Sequence, residues 1–282
     1  MGSLIDIRRR IKSTKNTQQI TKAMKMVSAS RLRRASERAT NARPYAERIA
    51  AVHSSILGRM SDLTGKLYHG GSGKTLLLVL AGDKGLCGPF NANIFKAVTA
   101  LFNQDGVDQY VVLPIGKKAV AQYAKHPVEK LEGYDGVFRN VTVALGEQIA
   151  ERVVQLFEES GFSKVVVVYN KFKNVMIQET TAIQVLPLSA ETEELDSGSE
   201  HLAEPSLEEI LEELSPRVVM TQIYQSLLES CASEHAARMT AMDAATNNAS
   251  DMIDKLTLEM NKARQAAITK ELIEVVSGAA AL

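Results

Sequence analysis

Residues 217–277 contain neither glycine nor proline, and a single helix over that stretch would be about 90 Å long at 1.5 Å per residue. Globular cores do not need helices of that length. Residues 3–43 are free of both residues as well, so two very long helices are expected to bracket whatever lies between them. Such elements at both ends suggest a shaft and not an active site.

Periodicity indicates how these helices are held. Leu228, Ala232, His235, Met239, Met242, Thr246, Ala249, Ile253, Leu256, Met260, Ala263 and Ala267 follow alternating steps of four and three, the spacing of a coiled-coil seam. An N-terminal seam is predicted through Ala35, Ala39, Ala42, Ala46, Ile49, His53, Ile56 and Met60, with an offset stripe of Ile20, Met24 and Val27 before it. Pro44 is expected to bend this helix without ending it. Alanine-rich seams let backbones approach closely, and lone histidines on them, His53 and His235, read as packed side chains.

The formal net charge is zero, but it is unevenly spread. Up to residue 48, Arg8, Arg9, Arg10, Lys12, Lys15, Lys22, Lys25, Arg31, Arg33, Arg34, Arg38, Arg43 and Arg48 face only Asp6, Glu37 and Glu47, whereas residues 191–213 hold many glutamates and no lysine or arginine. A basic helix fits nucleic acid, anionic lipid or a carboxylate-rich protein surface, and charge alone does not choose. No apolar run is long enough to cross a bilayer. The basic N-terminus lacks the apolar stretch of a secretory signal. Gly2 does not make a myristoylation site, because Asp6 stands where Ser or Thr is needed. Ser3 with Asp6 reads instead as a helix start. Cys87 and Cys231 match no zinc or redox spacing, which fits reduced thiols in a cytosol-like compartment.

The middle of the chain has another rhythm. Residues 75–82 (TLLLVLAG), 109–116 (QYVVLPIG) and 164–172 (KVVVVYNKF) read as buried strands separated by helical patterns at 91–102 and 145–159. This alternation predicts a parallel-rich α/β sheet, with a further strand at 175–186, an acidic loop at 189–205, a helix start at Ser206 and a second start at Ser215–Pro216. Two glycine-rich stretches resemble nucleotide loops. Gly73-Lys74-Thr75 ends like a P-loop, but Tyr68 occupies the position of its first glycine and a strand follows instead of preceding it. Gly82-Asp83-Lys84-Gly85-Leu86-Cys87-Gly88 follows a strand and opens a helix, yet its spacing is not that of a dinucleotide fingerprint, and a tight turn with Pro89 in the first helical turn accounts for it. No nucleophile triad, carboxylate pair or metal-ligand set is visible, so no catalytic residue, cofactor or metal is assigned.

Residues 21–34 (TKAMKMVSASRLRR), 82–91 (GDKGLCGPFN) and 234–282, with HAARMTAMDAATNNASDMI and NKARQAAITKELIEVVSGAAAL, resemble the gamma subunits of F-type ATP synthases, and the resemblance spans essentially the whole chain. It implies an α/β protein in which N- and C-terminal helices form a long antiparallel coiled coil with an inserted Rossmann-like α/β domain. The implied division is residues 1–60 as one shaft helix, 61–205 as the globular base and 206–282 as the other shaft helix. It further implies a non-catalytic rotor standing in a hexamer of alpha and beta subunits, with the epsilon subunit and the membrane ring of c subunits at its foot. Membrane association would be indirect, at the cytoplasmic face of a bacterial plasma membrane, since no transit sequence is seen. The family's beta-subunit contact positions map onto Met24, Arg238, Arg264, Gln265, Thr269 and Glu271. Chloroplast relatives carry an inserted cysteine pair that this chain lacks, so thiol switching is not expected.

In an antiparallel pair the longer C-terminal helix should project beyond its partner. Its apolar end, Leu272, Ile273, Val275 and Val276, would then sit as a bearing in an apolar collar, with a helix stop expected near Ser277 and Gly278. A small-molecule enzyme on the sheet would need a catalytic set. A nucleic-acid-binding coiled coil would usually add a recognised motif or stacking aromatics, whereas aromatics make up 5 % of the chain.

Overall fold

The computed structural model describes residues 4–60, 65–189, 204 and 206–280. Its elements are α1 (Leu4–Leu57), β1 (Thr75–Leu80), α2 (Phe90–Asp105), β2 (Tyr110–Ile115), α3 (Lys117–Tyr123), β3 (Glu129–Lys130), α4 (Val143–Ser160), β4 (Lys164–Phe172), β5 (Gln178–Leu186) and α5 (Leu207–Ala280). The chain divides into two compact units, one from the helix segments up to Ser28 and from Arg238 onward, the other comprising Ala29–Ala237.

In the larger unit the sheet order is β3-β2-β1-β4-β5. β1 runs parallel to β2 and β4, and only β5 is antiparallel, on β4. Every residue of β1 is buried because both faces of the sheet are covered, which explains its continuous apolar run. On one face Leu76, Leu78, Leu113, Ile115, Val165 and Val167 pack with Ile149, Val153 and Phe157 of α4, Ala39 and Ile49 of α1, and Val219, Ile223 and Leu227 of α5. On the other, Leu77, Val79, Val112 and Val168 meet Ile94, Val98 and Phe102 of α2 and Ala119 and Tyr123 of α3. Thr142 caps α4 by accepting the Leu145 N–H at 3.3 Å, and Gly161 ends it in the left-handed region. Ser206 Oγ likewise accepts the Glu209 N–H at 3.2 Å, so α5 starts where the sequence places it.

The long helices pack against one another in this unit too. Ile56 and Leu57 meet Leu211, and Arg43 pairs at 3.2 Å with the buried Glu229, which also accepts from Gln225 at 3.2 Å and from Tyr169 at 3.4 Å. His53 is 2 % exposed, and burial pushes its imidazole down to about 4. Its Nε2 meets the Tyr68 hydroxyl at 3.3 Å, Tyr68 meets Ser215 at 2.5 Å, and Ser215 donates to the Leu211 carbonyl at 2.5 Å.

In the smaller unit the two helices lie antiparallel. Lys25 Nζ donates to Asp243 at 2.6 Å, the hydroxyls of Thr21 and Thr246 are 2.8 Å apart, and Thr14 Oγ1 lies 3.9 Å from Met252 Sδ. Every residue of the predicted C-terminal seam is buried or half-buried, as is every residue from Ala35 to Met60 of the N-terminal one.

Several expectations are corrected. The offset stripe holds only at Met24, which is half-buried: Ile20 and Val27 are exposed, and the covered line is Leu4, Ile7, Ile11, Thr14, Gln18, Thr21, Met24 and Ser28. Small and polar side chains allow the close approach that the threonine pair requires. The second helix start at Ser215–Pro216 does not occur, since α5 runs through Pro216. The roughly 3 kcal/mol that an interior proline costs is offset by packing of Leu211, Val218 and Val219, all nearly inaccessible. α5 also passes Ser277 and Gly278 without stopping. α3 and β3 were not foreseen, and Pro89 precedes α2 as its cap instead of lying in its first turn. Ser3 and most of the acidic loop lie outside the described residues.

Candidate functional site

The glycine stretches are explained by packing. A side chain at Gly71 or Gly73 would lie 2.1 or 2.6 Å from the Gly161 carbonyl oxygen, and both amides already donate to the 161–162 backbone. The end of the P-loop-like stretch is therefore a sealed crossing of two backbones. At Gly82 the amide donates to Asn91 Oδ1 at 2.9 Å, and a Cβ would lie 2.8 Å from the carboxyl carbon of Glu234. A buried carboxylate there opposes phosphate. Asp83 is spent on structure: its carboxylate accepts the N–H groups of Lys117, Gly136 and Phe138 at 2.9, 3.1 and 2.9 Å. Among the described residues no group of His, Cys, Asp and Glu could hold a metal, no helix is long and apolar enough to cross a membrane, and neither cysteine forms a disulfide.

The surface of the smaller unit is chemically more distinctive. Arg8, Arg9, Arg10, Lys12, Lys15 and Lys22 of α1 are all exposed. The register set by Thr14 opposite Met252 and Thr21 opposite Thr246 brings Leu4 opposite the turn around Ala263. Residues 264–280 of α5 therefore run about 25 Å beyond Leu4 at 1.5 Å per residue.

Of the family-mapped contact positions, Arg264, Gln265, Thr269 and Glu271 are exposed on this extension, Met24 is half-buried, and Arg238 is 7 % exposed. Arg238 thus lies against its own chain, apart from the exposed set. Thr269 spends its hydroxyl on the Gln265 carbonyl at 2.9 Å. Leu272, Ile273, Val275 and Val276 are 60–69 % exposed, so an apolar surface does stand on the extension. Exposed Ile5, Met26, Leu258 and Ile268 were missed by the sequence reading. Their only signal was an apolar side chain off the seam, a position that periodicity assigns to solvent.

What distinguishes this part of the molecule is exposed charged and apolar surface. An ATP synthase family model matches residues 3–282. The ATP synthase gamma chain of Solibacter usitatus is 46 % identical over all of this chain and 99 % of its own length, and that of Geotalea daltonii is 44 % identical over 99 % and 98 %. A chain in the central stalk and c-ring structure of Tetrahymena thermophila mitochondrial ATP synthase matches with a TM-score of 0.61 and 26 % identity, covering 80 % of this chain and 99 % of that one. A chain of the Euglena gracilis enzyme shares the fold at a TM-score of 0.69 and 18 % identity, covering 99 % and 94 %. With two long packed helices, an inserted α/β sheet and relatives matched from end to end, the chain belongs to the gamma chains of F-type ATP synthase, non-catalytic subunits of the central stalk.

Proposed function

We propose that the chain is the rotor of its complex, coupling ion flow through a membrane ring of c subunits to conformational change at the catalytic beta subunits. In this reading residues 1–60 and 206–282 form the shaft, standing in a hexamer of alpha and beta subunits, and residues 61–205 form the base, which meets the epsilon subunit and the c ring. The complex would sit at the cytoplasmic face of a bacterial plasma membrane, with this chain peripheral to it. Rotation acts by presenting different faces to successive beta subunits, and it needs only contact energies that differ among their open, loose and tight states.

The observation that carries the reading is the unpaired extension of α5, with Arg264, Gln265, Thr269 and Glu271 exposed and Leu272, Ile273, Val275 and Val276 apolar beyond them. Polar contacts at the first set would transmit torque. Nonpolar contact at the second is non-directional and does not lock one angle, which suits a bearing. Native mass spectrometry of the complex drawn down through this chain tests the assignment. Alpha, beta, epsilon and c subunits are expected with it, and recovery of the chain alone or with nucleic acid would refute it.

A further inference from the structure

Within the larger unit, α1 and the turn after Gly136 enclose a cleft of about 240 Å³. Its rim carries Arg31, Arg34 and Arg38 from α1 and Arg139 from the turn, over a floor that includes Phe138, Val141 and Leu228. The helix places the three arginines on one face in a row about 10 Å long. Like charges at this spacing repel, and a fold indifferent to the cleft would be expected to set an acid among them. Among the described residues no carboxylate lines it, and the remaining polar lining is Asn140, Cys231 and the buried His235. Glu37, next in sequence to Arg38, is committed to Arg33 at 3.0 Å. Among the described residues none of the four rim arginines has an ion pair.

The turn that presents Arg139 is fixed in advance. Asp83 ties down the N–H groups of Gly136 and Phe138, Gly136 takes the left-handed conformation the turn needs, and Val137 and Phe138 are buried in the sheet's core. A planar guanidinium matches tetrahedral phosphate through paired N–H donors, which an ammonium cannot do, and the rim is entirely arginine.

We propose that this cleft is a binding site for a multiply charged phosphate anion, a diphosphate that is either free or the end of a nucleotide. Its volume lies just below the roughly 300–1,000 Å³ of sites for drug-sized ligands, which suits a compact anion. The inference does not depend on the rotor role, because the sample that tests it is the free full-length chain.

Calorimetric titration with inorganic pyrophosphate should show saturable binding at one site. The double variant Arg34→Gln/Arg38→Gln should weaken it at least tenfold, and Arg139→Gln alone several-fold. Arg48→Gln, which removes an equal charge from an exposed position of the same helix outside the cleft, should leave it within twofold. Circular dichroism should be unchanged in all of them. Adenosine diphosphate binding no tighter than pyrophosphate would identify the free anion as the ligand, and tenfold tighter binding would identify a nucleotide. The proposal is overturned if the wild-type chain gives no binding heat at millimolar pyrophosphate, if Arg48→Gln weakens binding as much as the cleft variants, or if a glutamate-rich peptide binds where pyrophosphate does not.

Discussion

Leu227 and Leu272 lie on the same helix and are opposites. Leu227 is fully buried, among β-sheet and α4 side chains, while Leu272 is 61 % exposed on a segment with no partner helix among the described residues. Between 207 and 237 the apolar residues of α5 form part of a core, and their identity is dictated by folding. Between 264 and 280 the same residue types contribute nothing to that core. That extension stays helical through good helix formers such as Ala266, Ala267, Lys270 and Glu271, with Lys270 and Glu274 3.6 Å apart, and through continuity with a nucleated helix. Apolar residues kept in water on a segment that folding does not need point outward, to binding.

The largest test of this contrast is truncation at both places. Leu227→Ala should cost about 3 kcal/mol, within the usual 2–5 for a buried leucine, and Leu272→Ala less than about 0.5, both read from chemical denaturation of the free chain. Similar costs at the two sites would erase the distinction between folding and binding segments.

Acid should weaken the buried end selectively. His53 has a folded pKa of about 4 against 6.5 when free, so the unfolded chain takes up the proton first. The contribution of neutral His53 is complete above pH 6.5 and is lost as pH falls from 6.5 towards 4, about 3 kcal/mol at most at 1.36 kcal/mol per unit. Denaturation midpoints measured across that window should fall with pH, and His53→Gln should flatten the slope. An unchanged slope would place the acid sensitivity elsewhere.

How much of this was legible in the sequence depended on what each element is made of. β1, β2 and β4 were visible because burial on both faces demands unbroken Val, Leu and Ile, and the seams from Ala35 and from Leu228 because four-three spacing survives even with alanine. The seam before Ser28 was legible only at Met24 because, beyond Ile11, its contact line otherwise consists of Thr14, Gln18, Thr21 and Ser28. Counting apolar residues then selected Ile20 and Val27 on another face. α3 is a single short helix after Gly116, and β3 is two exposed residues, so neither leaves a periodic trace. The buried polar run on α5, including Ser226, Glu229, Ser230 and Ser233, has a helical spacing that reads as solvent-facing until Arg43 and Tyr169 are brought to it. Arg31, Arg34, Arg38 and Arg139 could be joined only by the fold, since Arg139 lies far along the chain and is positioned by Asp83.

Charge on the extension gives a smaller and more specific test. Arg264→Glu should leave the free chain's stability within about 0.5 kcal/mol, as an exposed reversal usually does, and should lower rotation-linked ATP hydrolysis in the assembled complex. Unimpaired turnover would remove Arg264 from the proposed torque contacts while leaving the apolar end untouched.

That apolar end is tested most directly without mutation. Among the described residues no second helix covers residues 270–280, so in the free chain their amides are held by the helix itself, and their exchange should be fast compared with residues 218–237, whose helix is locked into the sheet's core. If an apolar collar receives Leu272, Ile273, Val275 and Val276 in the complex, helix opening there must first break those contacts. Exchange over 270–282 should then slow on assembly while the already protected 218–237 segment changes little. The effect should be modest, since a bearing that gripped tightly would resist rotation. Equal exchange in the free and assembled states would show that nothing engages the tip, and the exposed apolar side chains would then be unexplained by binding.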